Sequence, residues 1–202
     1  MPSAPRLTAT DLRFDGPHGP RLGPLSVDWG PGLHAITGDE GCGKTTLLRL
    51  LSGRLEPSGG RVERVPSGSV WLHDPQALVH DNATDARTPG AVWADLRRRW
   101  PGGDDDRWQA LVDALALRPH LDKTLAMLST GSRRKALMAA GLASDAAIVC
   151  LDQPFAALDA PSTRALQRAL REDADDGRVI VLADFEVPAD LAVDSALTLP
   201  PP

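Results

Sequence analysis

A glycine-rich loop between a strand and a helix constrains this chain more than any other feature of its 202 residues. The apolar segment Leu33 to Thr37 runs directly into GDEGCGKT at positions 38–45, and the periodic sequence TLLRLLS follows before Gly53. In that context the spacing GxxxxGKT is typical of a loop that binds nucleotide phosphates. Glycines let the backbone N–H groups turn inward around the phosphates, and the following helix adds the positive end of its dipole.

The residues of this loop are therefore the first candidates for binding a nucleotide. We expect Lys44 to reach the β- and γ-phosphates and the Thr45 hydroxyl to coordinate Mg²⁺. Two carboxylates near a triphosphate would oppose its binding, so the side chains of Asp39 and Glu40 are expected to point outward. The segment predicted to bind the nucleotide is Gly38, Asp39, Glu40, Gly41, Cys42, Gly43, Lys44, Thr45 and Thr46.

Asp152 is a second candidate, since it ends the apolar run AAIVCL. A continuous apolar run of this kind is typical of a buried parallel strand. A carboxylate at the tip of a strand beside the phosphate loop holds Mg²⁺ in phosphate-loop proteins. Asp152 alone would be weak evidence, because acidic residues often end strands; together with Lys44 and Thr45 it predicts a magnesium nucleotide site.

Composition excludes several other classes of protein. The formal net charge of −5 argues against a general nucleic-acid binder, which needs a concentrated basic face. The N-terminal segment contains no apolar stretch that could act as a signal peptide, and no apolar run approaches the length of a membrane span. We therefore expect no direct insertion into a membrane. Cys42 lies in the loop and Cys150 in an apolar run, which favours reduced thiols over a disulfide.

Strands and helices alternate along the chain, which indicates an α/β core. From position 77 to 143 the periodicity is helical, with Thr88 as an N-cap before Pro89 and a second helix after the acidic residues 104–106. The tryptophans of this region are expected to pack in a helical core, and the acidic clusters at 104–106 and 172–176 to be solvated. The other predicted strands are Leu7 to Phe14, Leu25 to Trp29, Ser69 to Leu72, Ala146 to Leu151, Val179 to Ala183 and a weak one after position 188, with a Gly/Pro-rich turn at 16–24 and a helix from Pro161 to Leu170.

Four further segments resemble motifs of the ABC ATPases, and they follow one another along the chain in the order that the family has. LSTGS at 128–132 resembles the LSGGQ signature, with Ser129 and Gly131 retained and with Thr130 and Ser132 replacing a glycine and the glutamine. The segment CLDQP at 150–154 resembles LLDEP, and AALD at 156–159 resembles the D-loop that ends in an aspartate. The remaining segment, WLHDP at 71–75, resembles the Q-loop, with His73 in place of the glutamine and Gln76 as a possible substitute.

This resemblance implies a phosphate-loop NTPase fold of class α/β: a RecA-like parallel-sheet core with an N-terminal antiparallel β-subdomain, plus an inserted helical subdomain. The whole chain, 1–202, would be one ATP-binding domain with its core at 1–76 and 146–202 and the helical subdomain at about 77–145. Short cassettes of this kind look most like the haem-exporter type of cytochrome c maturation. The family stacks adenine on an aromatic residue, usually tyrosine; this chain has no tyrosine, and Phe14 is a candidate for that role or for core packing.

The resemblance also implies a function. The chain would bind ATP and Mg²⁺ at a Walker A and Walker B site and form a head-to-tail dimer in which Ser129 and Gly131 face the γ-phosphate of the opposite subunit. It would drive a membrane permease as a homodimer, or as a heterodimer with another cassette. The protein would then be cytoplasmic and held at the inner face of the cell membrane by that permease. No nucleic-acid partner is expected.

Two catalytic positions depart from the family pattern. Gln153 stands where the family has its catalytic glutamate, and an amide cannot take a proton from the attacking water; losing a general base typically costs ~10²–10⁴ in rate. Asp184 or Ala183 stands at the switch histidine position, and no alignment supplies a histidine there because the last histidine of the chain is His120. The site is then a degenerate one of reduced or partner-dependent ATPase activity, or one in which Asp184 has taken over part of the base function, or one with water-assisted turnover.

Two other functions compete with transport. The first is a non-catalytic ATP-binding module that uses nucleotide-dependent dimerisation as a switch, or forms the degenerate half of a heterodimer. The second, a phosphate-loop kinase of small molecules, explains neither LSTGS nor AALD.

Overall fold

The fold is described here from a computed structural model that covers residues 3–16, 22–76 and 82–201. Two compact units are present. The first, the sheet unit, comprises 1–72, 147–153 and 171–202, and the second, the helical unit, comprises 73–146 and 154–170. The turn predicted at 16–24 lies largely outside the described residues, and so does the start of the predicted helical region at 77–81.

The sheet unit contains two sheets. An antiparallel sheet has the order β2-β1-β4, and a second sheet has the order β5-β6-β7-β3-β8, whose pairs β6–β7, β7–β3 and β3–β8 are parallel. The strands are β1 (Arg6–Phe14), β2 (Leu22–Trp29), β3 (Gly32–Thr37), β4 (Gly59–Val65), β5 (Val70–His73), β6 (Ile148–Asp152), β7 (Val179–Ala183) and β8 (Ser195–Thr198). The expected α/β class is confirmed.

Burial explains why the central strands were predictable. Every residue of β6 and β7 is buried, as is all of β3 except Thr37, and such strands are continuous apolar runs in sequence. Helix α1 (Lys44–Ser52) is capped by Gly43 and Gly53, both with left-handed backbone. The helix buries Leu47, Leu48, Leu50 and Leu51.

The helical unit is built around helix α5. Its other helices and turns are α2 (Asn82–Asp85), α3 (Pro89–Arg99), α4 (Asp105–Ala114), α5 (Thr130–Ala143), short 3₁₀ turns at Arg118–His120 and Leu125–Met127, and the first part of α6 (Ala160–Asp175), of which 171–175 belong to the sheet unit. Helices α3 and α4 both pack on α5. Trp93 stacks on Trp108 with ring centroids 5.7 Å apart, and both are buried, so the predicted core role of these tryptophans is confirmed.

The predicted helix starts are also observed. Thr88 caps α3 by accepting a hydrogen bond from the Ala91 N–H, with Pro89 in the first turn. Asp104 caps α4 by accepting from the N–H groups of Asp106 and Arg107. Both follow from local rules, since a short polar side chain satisfies N–H groups that the helix leaves free.

Three expectations need correction. Strand β2 begins at Leu22, three residues before the predicted start, and β4 was not predicted at all. Strand β4 was missed because its sequence, GGRVERV, is polar and forms the edge of its sheet, where charged side chains are common. The cluster 172–176 is not wholly solvated: Asp173 is buried, lies within α6 and pairs with Arg178 at 2.9 Å.

Candidate functional site

The glycine loop closes tightly between β3 and α1. Gly38, Gly41 and Gly43 have φ values of 142°, 81° and 103°, which residues with a side chain rarely adopt. A Cβ on Gly38 would lie 2.9 Å from the Cys42 sulfur and 3.0 Å from the Leu199 carbonyl oxygen. The motif therefore has glycine where the backbone turns and where a neighbour leaves no room for a side chain.

Lys44 lies at the centre of this loop. Its side chain is almost fully buried, and its Nζ donates hydrogen bonds to the carbonyl oxygens of Gly38 at 2.6 Å and Asp39 at 2.7 Å. The ammonium group is thus held inside the curve of the loop, at the N-terminus of α1. A positive charge and a helix N-terminus together favour an anion at this position.

The other loop residues surround this charge. Asp39 and Glu40 are exposed, which fits the expectation that their side chains point outward. The Cys42 sulfur is buried and lies 3.7 Å from Lys44 Nζ, and Thr46 is half-buried. Cys42 and Cys150 are both free thiols, as expected, and burial raises the pKa of Cys150 to about 12, which leaves it a neutral thiol.

Thr45, in the first turn of α1, contacts Asp152 at the end of β6. The Thr45 Oγ1 donates to Asp152 Oδ2 at 2.7 Å, and Asp152 is the last residue of β6, 3% exposed. A hydroxyl and a carboxylate oxygen are hard ligands of the kind that Mg²⁺ takes in proteins, usually together with water and substrate phosphates. These two side chains therefore fit a magnesium ion beside the loop.

Gln153 and Asp184 follow the paired strand ends. Asp152 pairs with Ala183 in the parallel ladder, and the Gln153 N–H then donates to the Ala183 carbonyl at 2.7 Å. Gln153 is exposed with φ of 47°, a left-handed backbone that is uncommon for glutamine. The Asp184 N–H donates to the Ile36 carbonyl at 3.1 Å, and its carboxylate accepts from the Phe185 N–H at 2.8 Å.

The sheet unit thus brings most of the predicted site residues to one edge. The carboxyl ends of β3, β6 and β7 carry the loop 38–46, Asp152 with Gln153, and Asp184, respectively. This is where open parallel sheets bind ligands. The remaining predicted residues, His73, Ser129 and Gly131, belong to the helical unit.

Ser129 and Gly131 lie at the start of α5. Ser129 is the N-cap, and its Oγ accepts from the Ser132 N–H at 3.2 Å. The signature-like segment therefore includes a helix N-terminus, as the resemblance implies. A signal missed in the sequence is the basic run Arg133, Arg134 and Lys135 that follows directly, whose members contact other parts of the helical unit.

His73 is buried, with 2% of its surface exposed. Burial lowers its pKa to about 3, with Arg134 and Arg133 adding to the effect and Asp74 opposing it. His73 is therefore a neutral interior group. Gln76, the alternative for the Q-loop role, is exposed.

An apolar cavity of about 410 Å³ lies beside the loop in the sheet unit, lined by Leu22, Gly23, Pro24, Leu25, Cys42 and the C-terminal residues 197–201. Phe14, the candidate for stacking the adenine, packs against the core of the sheet unit and does not line this cavity. Its role as a base-stacking residue remains a prediction.

The low pKa of His73 predicts a pH-dependent stability. In the unfolded chain His73 titrates near its ordinary value of 6.5, whereas in the folded chain it stays neutral down to about pH 3. The unfolded state therefore binds more protons, and stability falls as pH drops below 6.5. By pH 5 the loss attributable to this group should be about 2 kcal/mol. Denaturant unfolding between pH 8 and pH 5 should show a smaller loss of unfolding free energy in His73→Gln than in wild type. An identical dependence of unfolding free energy on pH in both proteins would contradict this assignment.

Comparison with known proteins places these features in a family. A family model described as ABC transporter matches residues 24–156. The cytochrome c biogenesis ATP-binding export protein of Zymomonas mobilis is 38% identical over 151 residues, which cover 75% of this chain and 65% of that protein. The protein of the same name from Sphingopyxis alaskensis is 35% identical, covering 73% of each chain. The expected similarity to the cytochrome c maturation type is confirmed.

Other relatives and solved structures agree. The phosphonates import ATP-binding protein of Chromohalobacter salexigens is 30% identical over 68% of this chain and 58% of its own length. A putative ABC transporter ATP-binding protein from Pyrococcus furiosus has a TM-score of 0.78 at 21% identity, covering 96% of this chain and 97% of its own, which confirms the phosphate-loop fold. Within the described residues no helix combines the length and apolarity needed to cross a membrane. The chain belongs to the ABC transporter family, among its ATP-binding proteins.

Proposed function

We propose that this chain binds Mg·ATP at the loop 38–46 and uses it to drive a membrane permease as one subunit of a cassette dimer. The observation that carries the proposal is the position of Lys44, whose ammonium group is enclosed by loop carbonyls at the N-terminus of α1. Its charge and the loop N–H groups would hold the β- and γ-phosphates. The net charge of −5 supports a protein partner over a nucleic acid.

Thr45 and Asp152 would hold the Mg²⁺ ion, which when bound neutralises charge on the phosphates. The support is their direct contact at 2.7 Å at the carboxyl edge of the sheet. For the Q-loop role at the nucleotide and the permease, burial of His73 favours the exposed Gln76.

The proposed dimer is head to tail. Ser129 and Gly131 at the start of α5 would face the γ-phosphate held by the second subunit, which can be another copy of this chain or a different cassette. The domain organisation we propose is one ATP-binding domain over 1–202, with its core at 1–76 and 146–202 and a helical subdomain at about 77–145. In the cell it would lie on the cytoplasmic face of the membrane, held there by its permease.

We further propose that hydrolysis is impaired. The Gln153 amide offers no base for the attacking water. Asp184 brings a negative charge to the same edge; a carboxylate at about 4 Å from a phosphate oxygen costs roughly 4 kcal/mol at an effective dielectric of about 20. A carboxylate accepts hydrogen bonds, as Asp184 does from the Phe185 N–H, which makes Asp184 a poor replacement for a histidine that donates to the phosphate.

The same two residues favour one alternative. A non-catalytic module would bind ATP, dimerise and release the nucleotide only slowly, so that it acts as a nucleotide-dependent switch. Paired with an intact cassette, it would be the degenerate half of a heterodimer in which the partner supplies the working catalytic residues.

Dimerisation is the first test. If Gln153 prevents hydrolysis, ATP stays bound and should hold two subunits together, whereas ADP should not. Light scattering should show a dimer with Mg·ATP and a monomer with Mg·ADP. A strictly monomeric species at saturating ATP would exclude the homodimer and leave the heterodimer.

Hydrolysis is the second test, measured as phosphate release from wild type, Gln153→Glu, Asp184→Asn and the double variant Gln153→Glu with Asp184→His. We expect Gln153→Glu alone to do little and the double variant to gain one or more orders of magnitude, because both a base and a switch side chain are missing. A large gain in Gln153→Glu alone would show that only the base is lacking. Measurable wild-type turnover that Asp184→Asn abolishes would make Asp184 the base, and brisk turnover that Asp184→Asn leaves unchanged would refute the impaired site.

A further inference from the structure

Three residues on one face of α5 contact residues 156–162 of the helical unit, which comprise the segment 156–159 before α6 and the first turn of α6. Gly131, Arg134 and Lys135 are spaced at i, i+3 and i+4, so they lie side by side on the helix. The segment they contact contains AALD, which resembles the D-loop.

The first two contacts reach the backbone of this segment. Gly131 approaches so closely that a Cβ on it would lie 2.4 Å from the Ala157 carbonyl oxygen. Arg134 Nη1 donates to the Ala156 carbonyl at 3.0 Å. Hydrogen bonds from a charged donor are stronger than those between neutral groups, so this one restrains the segment more than a serine or amide would.

Lys135 makes the third contact. Its side chain is 10% exposed, and its Nζ donates to Ser162 Oγ at 3.2 Å and lies 3.8 Å from Asp159 Oδ2. Asp159 in turn accepts from the Ser162 N–H at 2.8 Å, at the start of α6. A buried ammonium needs partners, and Ser162 and Asp159 provide them.

The segment itself is exposed or half-buried throughout, and its turn is local. Ala157 has φ of 62° and, like Asp159, is exposed, and the Leu158 N–H makes only a local turn with the Phe155 carbonyl at 3.2 Å. An exposed segment that contains a residue with left-handed backbone opens more readily than buried structure, so contacts that restrain it have a measurable effect.

We propose that Arg134 and Lys135 are positioning residues that hold the segment 156–159 against the start of α5. The signature-like helix start and the D-loop-like segment then form one preorganised surface. In the proposed dimer, on which this inference depends, the second subunit would contact this surface. Two of the three residues in the basic run that follows LSTGS, Arg134 and Lys135, would then restrain the neighbouring segment.

Hydrogen exchange on the monomeric, nucleotide-free protein tests the restraint. Loss of one charged hydrogen bond in Arg134→Ala should speed exchange in the 155–163 peptide by roughly tenfold. Arg134→Lys, which keeps a cationic donor, should restore part of the protection. The peptide covering α3 is the internal reference, because general destabilisation would speed exchange there as well. Unchanged exchange at 155–163 in Arg134→Ala, or an equal rise in α3, would overturn the proposal.

The matched control is Arg168→Ala, which removes an exposed arginine from α6 in the same unit and should alter neither peptide. A second readout separates positioning from nucleotide binding: in Arg134→Ala the affinity for Mg·ATP should stay within about twofold, while dimer formation weakens by roughly tenfold. Equal dimerisation of Arg134→Ala and wild type would contradict the functional part. If wild type forms no dimer, the proposed homodimer fails by itself, and the exchange measurement still decides whether the restraint exists.

Discussion

The enclosed charge of Lys44 is the interaction on which the site depends. Its ammonium group draws the carbonyls of Gly38 and Asp39 toward itself, and the loop can follow only because glycines take up left-handed backbone beside it. This leaves the loop N–H groups and the N-terminus of α1 facing the same space. An anion in that space gains from all of them at once. The loop and the start of α1 are therefore organised around one positive charge.

The negative groups at the same edge divide into two kinds. Asp152 is buried and accepts a hydrogen bond from Thr45, the residue with which we propose that it holds Mg²⁺. Asp184 follows the neighbouring strand β7, and in the proposed site its carboxylate would repel a phosphate. Gln153 lies beside it on a left-handed backbone. Under the proposed function, this edge keeps the groups that would bind a nucleotide and lacks a base and a switch histidine for its hydrolysis. We therefore propose that this chain binds ATP more effectively than it hydrolyses it.

Features set by local rules could be predicted from the sequence. Helix caps at Thr88 and Asp104, the buried strands β6 and β7, and the phosphate loop all follow from residues within one element. Features set by pairing with a distant part of the chain could not be predicted, since β4 is defined by its pairing with β1. The site shows the same division. The contact between Thr45 and Asp152 follows from strand topology, whereas the burial of His73 and the contacts of Arg134 depend on how separate segments pack.

The central claim is that Lys44 makes this loop an ATP site. Calorimetric titration of Mg·ATP into wild type and Lys44→Ala, with circular dichroism to establish that both are folded, tests it most directly. The account predicts saturable binding by wild type and none by the variant, since the variant lacks the charge that faces the phosphates. Equal affinity in the two proteins would contradict it.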